Sequence, residues 1–179
     1  HRSPRVVITG MGWITPLGHD LPTVWRRLMA GESGMAPIDR FDARTFPTAF
    51  AAQVRDFDFR RYVNDPSIHA TAGLNTCFAL GAARQAWQQA GLGSWKGLDA
   101  RRAGIYLGAG EGVLDTEHYV ASNLAGWDAA TQRIDGKRWA EAALALMTAA
   151  KEIEQEPNMP VAHLAREFGL RGPAYNCLT

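Results

Sequence analysis

The sequence of 179 residues is 46% hydrophobic and 21% charged, a composition typical of a globular protein that is long enough to bury a core. Its 19 basic and 18 acidic side chains nearly cancel, which argues against binding to a nucleic acid or an anionic membrane surface. Because no apolar run approaches the roughly 20 residues that span a bilayer, and no signal-peptide core follows His1, we expect one globular unit in a soluble, cytoplasmic protein.

The first predicted elements are a strand and a helix. Residues 5–9 are continuous and mostly β-branched, which predicts a buried strand that ends at the glycine turn Gly10–Gly12. Asp20 and Pro22 then mark the start of an amphipathic helix, and Gly31 supplies its end.

The middle of the chain predicts a loop, a long helix and a second strand. Residues 34–64 have a loop-like composition, with a candidate short strand at 50–54. Residues 69–90 have helical periodicity and predict a mostly buried helix, and residues 104–108 predict a second buried strand.

The last third predicts two helices and a closing strand. Helical spacing extends over residues 138–154, and a short helix is expected over 161–168 with Gly169 as its cap. Gly172 and Pro173 turn the chain into a strand over 174–179. Strands that alternate with helices predict an α/β fold with parallel strand pairing, and no composition shift marks a domain boundary.

The two cysteines favour packing over chemistry. Cys77 and Cys177 lie far apart in apolar segments, which suits reduced, buried thiols better than a disulfide framework.

The turn Gly10–Gly12 also raises the alternative of a dinucleotide site, because a strand, a glycine turn and a helix can cradle a pyrophosphate. The pattern fits poorly: the third small residue of the fingerprint is replaced by Thr15, and Pro16 removes an amide donor. A nicotinamide-dependent Rossmann oxidoreductase is therefore a minor alternative, and we expect no cofactor.

A second glycine segment, Gly108–Gly112, is interpreted as backbone that lies close to another buried backbone. The five histidines show no pair at metal-ligand spacing, so no metal site is expected. Asp115, Glu117 and His118 could form an acid/base cluster, but charged residues after a loop are more often a solvated helix face.

Four motifs together closely resemble the opening of the β-ketoacyl-acyl-carrier-protein synthases, and both their order and their spacing match: Val6–Gly12, Thr15–Gly18, Leu28–Gly34 and Ile38–Asp42. Later segments fall where that family has similar ones: Ala82–Leu92, Gly108–Gly112, Pro157–Met159 and Phe168–Tyr175. The resemblance spans nearly the whole chain.

The resemblance implies a thiolase-like fold, layered αβαβα, in which residues 1–179 form most of the first half. It places the nucleophilic cysteine about two residues after Thr179 and makes Cys177 a strand residue, so this chain alone would be inactive. It further implies that Thr179, Gly108, Gly110 and Met159 contribute to substrate binding.

The implied activity is that of an acyltransferase, which condenses an acyl thioester with a malonyl-carrier protein in fatty-acid or polyketide synthesis. The implied partners are the C-terminal half or a second chain, an acyl carrier protein, and either an identical subunit or a chain-length-factor subunit. A catalytically silent chain-length factor is the alternative within the fold.

The sequence departs from the family in two stretches. Residues 62–75 lack the charged run usual there, which puts carrier-protein docking in doubt. Residues 121–156 carry an Ala/Glu-rich helix where the family has acyl-tunnel and dimer segments, so chain-length preference and dimer geometry are not carried over.

Overall fold

The computed structural model describes residues 5–110 and 112–178, which group into two compact units. The first unit contains residues 5–68 and 77–100, and the second contains residues 69–76, 101–110 and 112–178. The sequence had indicated a single unit, because no change of composition accompanies the division. In chain order the elements are α1 (Leu21–Met29), β1 (Met35–Pro37), β2 (Phe50–Ala52), α2 (Leu74–Gln89), β3 (Ile105–Gly108), α3 (Thr116–Gly126), β4 (Trp127–Asp128), β5 (Arg133–Ile134), α4 (Gly136–Leu146), α5 (Ala149–Ile153), α6 (Met159–Phe168) and β6 (Ala174–Cys177).

The first predicted helix is confirmed as α1. The Asp20 side chain accepts a hydrogen bond from the Thr23 amide at 2.8 Å, which satisfies an otherwise unpaired amide of the first turn. Gly31, with φ of 68°, follows the helix in the left-handed conformation. Val24 is buried, whereas Trp25 keeps 57% of its surface exposed, so this apolar face is only partly covered.

The predicted strand over residues 5–9 is wrong: these residues form neither helix nor strand. Val6 is 97% exposed and Ile8 is 83% exposed, and none of the strands in the described residues pairs with this β-branched run to form a hydrogen-bonded ladder. The glycines that follow pack closely against α2. A Cβ on Gly10 would collide with the Ala86 carbonyl, and one on Gly12 would collide with the Ala82 carbonyl.

The long helix predicted over 69–90 is confirmed in its second part. A 3₁₀ turn covers Pro66–His69, α2 begins only at Leu74, and Gly91 ends it with φ of 68°. Residues 34–64 are mostly loop, as predicted, and contain the short antiparallel pair β1 and β2. The core of the first unit includes Leu80, which is fully buried on α2.

The parallel pairing expected of an α/β fold is found in the second unit, where β3 pairs with β6. Close approach at the start of the two strands depends on glycine. A Cβ on Gly104 would collide with the Pro173 carbonyl, and one on Gly172 would come within 2.5 Å of the Ala103 carbonyl oxygen. The prediction that β3 is buried is wrong, because Tyr106 is 78% exposed.

The single helix predicted over 138–154 is wrong, since the chain forms α4 and α5 with a break between them. Met147 is extended, with φ of −81° and ψ of 137°, and the Thr148 hydroxyl caps the Lys151 amide of α5. A side chain that offers its own cap competes with continuation of the helix. The helix face interpreted around Asp115 and His118 is the first turn of α3, whereas the two-residue strands β4 and β5 have no counterpart in the sequence predictions. Of the helices in the described ranges, none combines the length and apolarity needed to cross a membrane.

The predicted short helix is confirmed as α6, which begins two residues earlier than expected. Pro160 occupies an early position where its missing amide costs no hydrogen bond, and Gly169 ends the helix with φ of 64°. Helix α6 packs against both β3 and β6. It therefore supports the strand pair from one side.

Candidate functional site

The candidate site is the edge of the second unit where β3 and β6 end together. Gly108 is in register with Cys177, and the Ala109 amide donates to the Cys177 carbonyl at 3.2 Å. The two strands run parallel to each other, so the segments that follow them leave the sheet at the same edge. Side chains that follow parallel strands at their carboxyl ends are those that α/β proteins use for binding and catalysis.

The glycines at this edge border open space. A Cβ added to Gly108 or to Gly110 would meet no atom within 4 Å, and neither residue has a positive φ. The predicted close approach of backbone is therefore wrong at these two positions. It holds at Gly112, where a Cβ would collide with the carbonyls of Glu154 and Gln155. Glu111, between Gly110 and Gly112, lies outside the described residues.

The loop before α6 contacts the inner part of β6. The Asn176 side-chain amide donates to the Pro157 carbonyl, and Met159, two residues later, is half-buried as the first residue of α6. The Asn176 Oδ1 atom is buried without a hydrogen-bond partner in the described part of the chain. Thr179, the remaining residue that the resemblance places at the site, lies outside the described residues.

The two cysteines differ in environment. Cys77 is 6% exposed on α2, whereas Cys177 is half-buried at the end of β6, and neither sulfur forms a disulfide bond. The prediction of a buried, packed thiol is confirmed at Cys77 and is wrong at Cys177, which is only half-buried.

A cluster of charged side chains surrounds the first turn of α3. His118 Nδ1 lies 2.7 Å from Asp115 Oδ2, and Lys151 Nζ lies 3.4 Å from the same oxygen. The hydrogen bond from His118, together with that from Lys151, lowers the pKa of Asp115 against the opposing effect of burial. The Asp115 side chain is only 6% exposed, so the prediction of a solvated helix face is wrong for this residue. Glu117 is exposed.

Two further histidines come together that the sequence did not associate. His69 and His163 are buried and in contact through their Nδ1 atoms, although 94 positions separate them in the chain. No local spacing signals such a pair, because it is created by the tertiary fold. Across residues 5–110 and 112–178, no three His, Cys, Asp or Glu side chains are grouped so that they could hold a metal ion.

The fold of the chain is shared with solved ketosynthases. The structure is similar to "The ishigamide ketosynthase/chain length factor", with a TM-score of 0.72 and 29% identity, over 97% of this chain and 39% of that one. A β-ketoacyl synthase from Burkholderia phymatum has a TM-score of 0.68 over 94% of this chain and 38% of its own, at 20% identity. The fold is thus the mixed α/β, thiolase-like fold of these proteins.

Sequence comparison is more specific. Residues 3–179 match the family described as "Beta-ketoacyl synthase, N-terminal domain", and the chain belongs to that family. A "3-oxoacyl-[acyl-carrier-protein] synthase 2" of Coxiella burnetii is 46% identical over 110 residues, which are 62% of this chain and 26% of the relative. A chloroplastic "3-oxoacyl-[acyl-carrier-protein] synthase I" of Hordeum vulgare is 41% identical over 126 residues, 67% of this chain and 27% of the relative. The matched segments span about a quarter of the length of these curated relatives.

Proposed function

We propose that the complete protein is a β-ketoacyl synthase, which joins an acyl thioester to a malonyl-carrier protein with loss of carbon dioxide. The observation that carries the proposal is the parallel register of β3 and β6, which brings the end of β6 beside the open glycine segment. In the family that the chain matches, a nucleophilic cysteine follows this strand. The family match over residues 3–179 supports the same assignment.

The proposed reaction needs no external oxidant or reductant. The cysteine thiolate attacks the acyl thioester, forms a new thioester and releases the carrier thiol. Cleavage of the carboxylate from the malonyl thioester then leaves an electron pair as an enolate. The enolate attacks the acyl carbonyl carbon, a carbon–carbon bond forms, and the cysteine thiolate departs. A cysteine at a sharp strand-to-helix turn suits this role, because a helix N-terminus stabilises the thiolate.

Within this chain we propose that Gly108, Gly110, Met159 and Thr179 contact the acyl substrate. The open space over Gly108 and Gly110 supports that role, since an acyl chain needs an unobstructed wall. Met159 is half-buried beside the loop that contacts β6, and its flexible, apolar side chain suits a variable acyl group.

The proposed partners follow from the same assignment. They are the remaining part of a ketosynthase fold, an acyl carrier protein, and a second subunit that is either identical or related. The similarity to a ketosynthase/chain length factor structure supports partners of these kinds.

A second candidate is a catalytically silent chain-length factor. It is favoured by that same structural similarity to a ketosynthase/chain length factor. The two candidates differ in the residue about two positions after Thr179, which is cysteine only in an active synthase.

The test supplies the complete protein with acyl and malonyl carrier-protein thioesters. We expect release of carbon dioxide and formation of a β-ketoacyl thioester, and we expect alkylation of a single cysteine to stop condensation. Condensation that survives complete cysteine alkylation would contradict the mechanism. If the purified protein condenses only after a related subunit is added and carries no reactive cysteine, the chain-length factor is the correct assignment.

A further inference from the structure

Four buried ionisable side chains form a hydrogen-bonded row in the second unit. His69 Nδ1 lies 2.8 Å from His163 Nδ1, His69 Nε2 lies 3.0 Å from Glu167 Oε2, and His163 Nε2 lies 3.0 Å from Glu154 Oε1. Their side chains are 0%, 6%, 2% and 6% exposed for His69, His163, Glu167 and Glu154. The Thr71 hydroxyl also donates to Glu154 Oε1, at 2.9 Å.

The three contacts fix the number of protons in the row. A contact of 2.8 Å between two Nδ1 atoms requires one ring to donate and the other to accept, so one proton lies between the rings. Each Nε2 lies at hydrogen-bond distance from a carboxylate oxygen, so each of these two contacts holds one proton as well. The row therefore holds three protons, one more than two neutral imidazoles and two ionised carboxylates carry.

We infer that His69 and His163 share one proton as a single cationic pair held between Glu154 and Glu167, and that this pair is a protonation-dependent clasp. The clasp joins the segment that precedes α2 to α6. Placing the cation between two carboxylates offsets the cost of burying charge, which an isolated imidazolium would bear in full.

Other charged groups lie on the elements around the clasp. Asp115 and Lys151 line a cavity of about 140 Å³ together with Thr71 and Glu154. His118 approaches the same Asp115 carboxylate and lies 3.4 Å from Lys151 Nζ. The adjoining elements carry three more charged side chains. Glu152 lies in the last turn of α5, Glu156 follows that helix, and Arg166 lies on α6. The clasp carboxylate Glu154 thus borders a second ionised cluster, whereas His69 and His163 are enclosed.

The shared proton makes the clasp sensitive to pH on both sides. In acid, protonation of the second ring would set one N–H against the other and break the contact. In base, loss of the shared proton would leave two nitrogen lone pairs facing each other and break the same contact. Stability should therefore be highest while the proton is shared and should fall in both acid and base. We expect a bell-shaped dependence.

The direct test uses the complete protein with nitrogen-15-labelled histidine. We expect NMR at neutral pH to show one strongly hydrogen-bonded proton coupled to two ring nitrogens, and the two rings to change together as pH is varied. Two neutral rings at neutral pH, or two rings that titrate independently, would overturn the inference. This measurement needs no substitution.

A matched pair of variants provides a second test through the thermal midpoint as a function of pH. His163→Asn keeps an amide donor that can reach His69 Nδ1 but removes the shared proton, so the fall of the midpoint at alkaline pH should shrink by at least half. His118→Asn is the control, because it replaces another carboxylate-bound histidine of the same unit and should leave the alkaline side unchanged. If the thermal midpoint of His163→Asn falls at alkaline pH as much as that of the wild type, the clasp is refuted. If this variant does not fold, the NMR measurement decides.

Discussion

At the scale of single residues, Gly110 provides a test of the proposed acyl site. It is exposed, has no positive φ, and a Cβ there would meet no atom within 4 Å. A valine at this position should therefore leave the fold unchanged but occupy space intended for substrate. We expect Gly110→Val to raise KM for the acyl thioester roughly 10-fold, equivalent to about 1.4 kcal/mol.

The matched control for this prediction is Gly136→Val. Gly136 is also exposed and equally unobstructed, but it lies at the start of α4. Steady-state kinetics on the complete protein should show unchanged KM for the control. Equal effects of the two substitutions would argue against a substrate contact at Gly110.

Asp115 gives a prediction about pH. Its lowered pKa means that the folded protein holds this carboxylate ionised, so the contribution to stability is complete above the unfolded value of about 3.9 and is lost as pH falls through the lower folded value. Asp115→Asn should therefore lower the free energy of unfolding at neutral pH, and its difference from the wild-type value should disappear in strong acid. Denaturant unfolding at several pH values measures this difference. The control is Glu117→Gln, which replaces an exposed carboxylate of the same turn and should leave the free energy of unfolding at neutral pH unchanged.

At the scale of elements, the N-terminal glycine turn serves packing. Gly12 lies against the α2 backbone, where a Cβ would collide with the Ala82 carbonyl and approach the Gln85 side chain. We expect Gly12→Ala to lower the free energy of unfolding by about 2 kcal/mol through overpacking. Chemical denaturation measures this change, with Gly136→Ala as the control. If Gly12→Ala leaves the free energy of unfolding unchanged, the turn can shift away from α2.

This close packing also explains why the dinucleotide interpretation fails. The Met11 amide donates to Gln89 Oε1 at 2.7 Å and the Trp13 amide to Gln85 Oε1 at 3.3 Å, so side chains of α2 already satisfy amides that a pyrophosphate would need. The sequence showed only the glycine spacing. It could not show that a helix more than 70 residues later would fill the turn.

Elements with strong local signals were predictable. Helix α1 has its cap at Asp20 and its stop at Gly31, and α6 has its stop at Gly169, so each was located within two residues. Elements that depend on distant partners were not. The run over residues 5–9 has the composition of a strand but no neighbour in the described chain, and the break at Met147 depends on a local cap that periodicity conceals.

The residues of the candidate site and of the histidine row divide in the same way. The glycine segment at Gly108 and the start of α6 at Met159 were found through the resemblance, because motif order survives in sequence. The row formed by His69, His163 and the two glutamates was missed, since its members approach each other only in the folded chain.

At the scale of the whole molecule, large apolar side chains remain exposed in both units. In the first unit Val6, Val7 and Ile8 are 97%, 70% and 83% exposed, and in the second Tyr106 and Leu144 are 78% and 86% exposed. Surfaces of this kind on soluble proteins are normally covered by a partner. The proposed ketosynthase assignment supplies that partner as the rest of the fold.

We therefore expect residues 1–179, produced alone, to self-associate and to bind a hydrophobic dye, and the complete protein to do neither. Replacing Val6 and Ile8 with lysine should reduce dye binding by the isolated chain and impair assembly of the complete protein, because the same apolar side chains would be buried there. Lysines at Ala129 and Gln132, in an exposed turn, are the control for added charge and should change neither property. Light scattering and dye fluorescence measure both outcomes, and an isolated chain that stays monomeric without binding dye would show that these side chains need no partner.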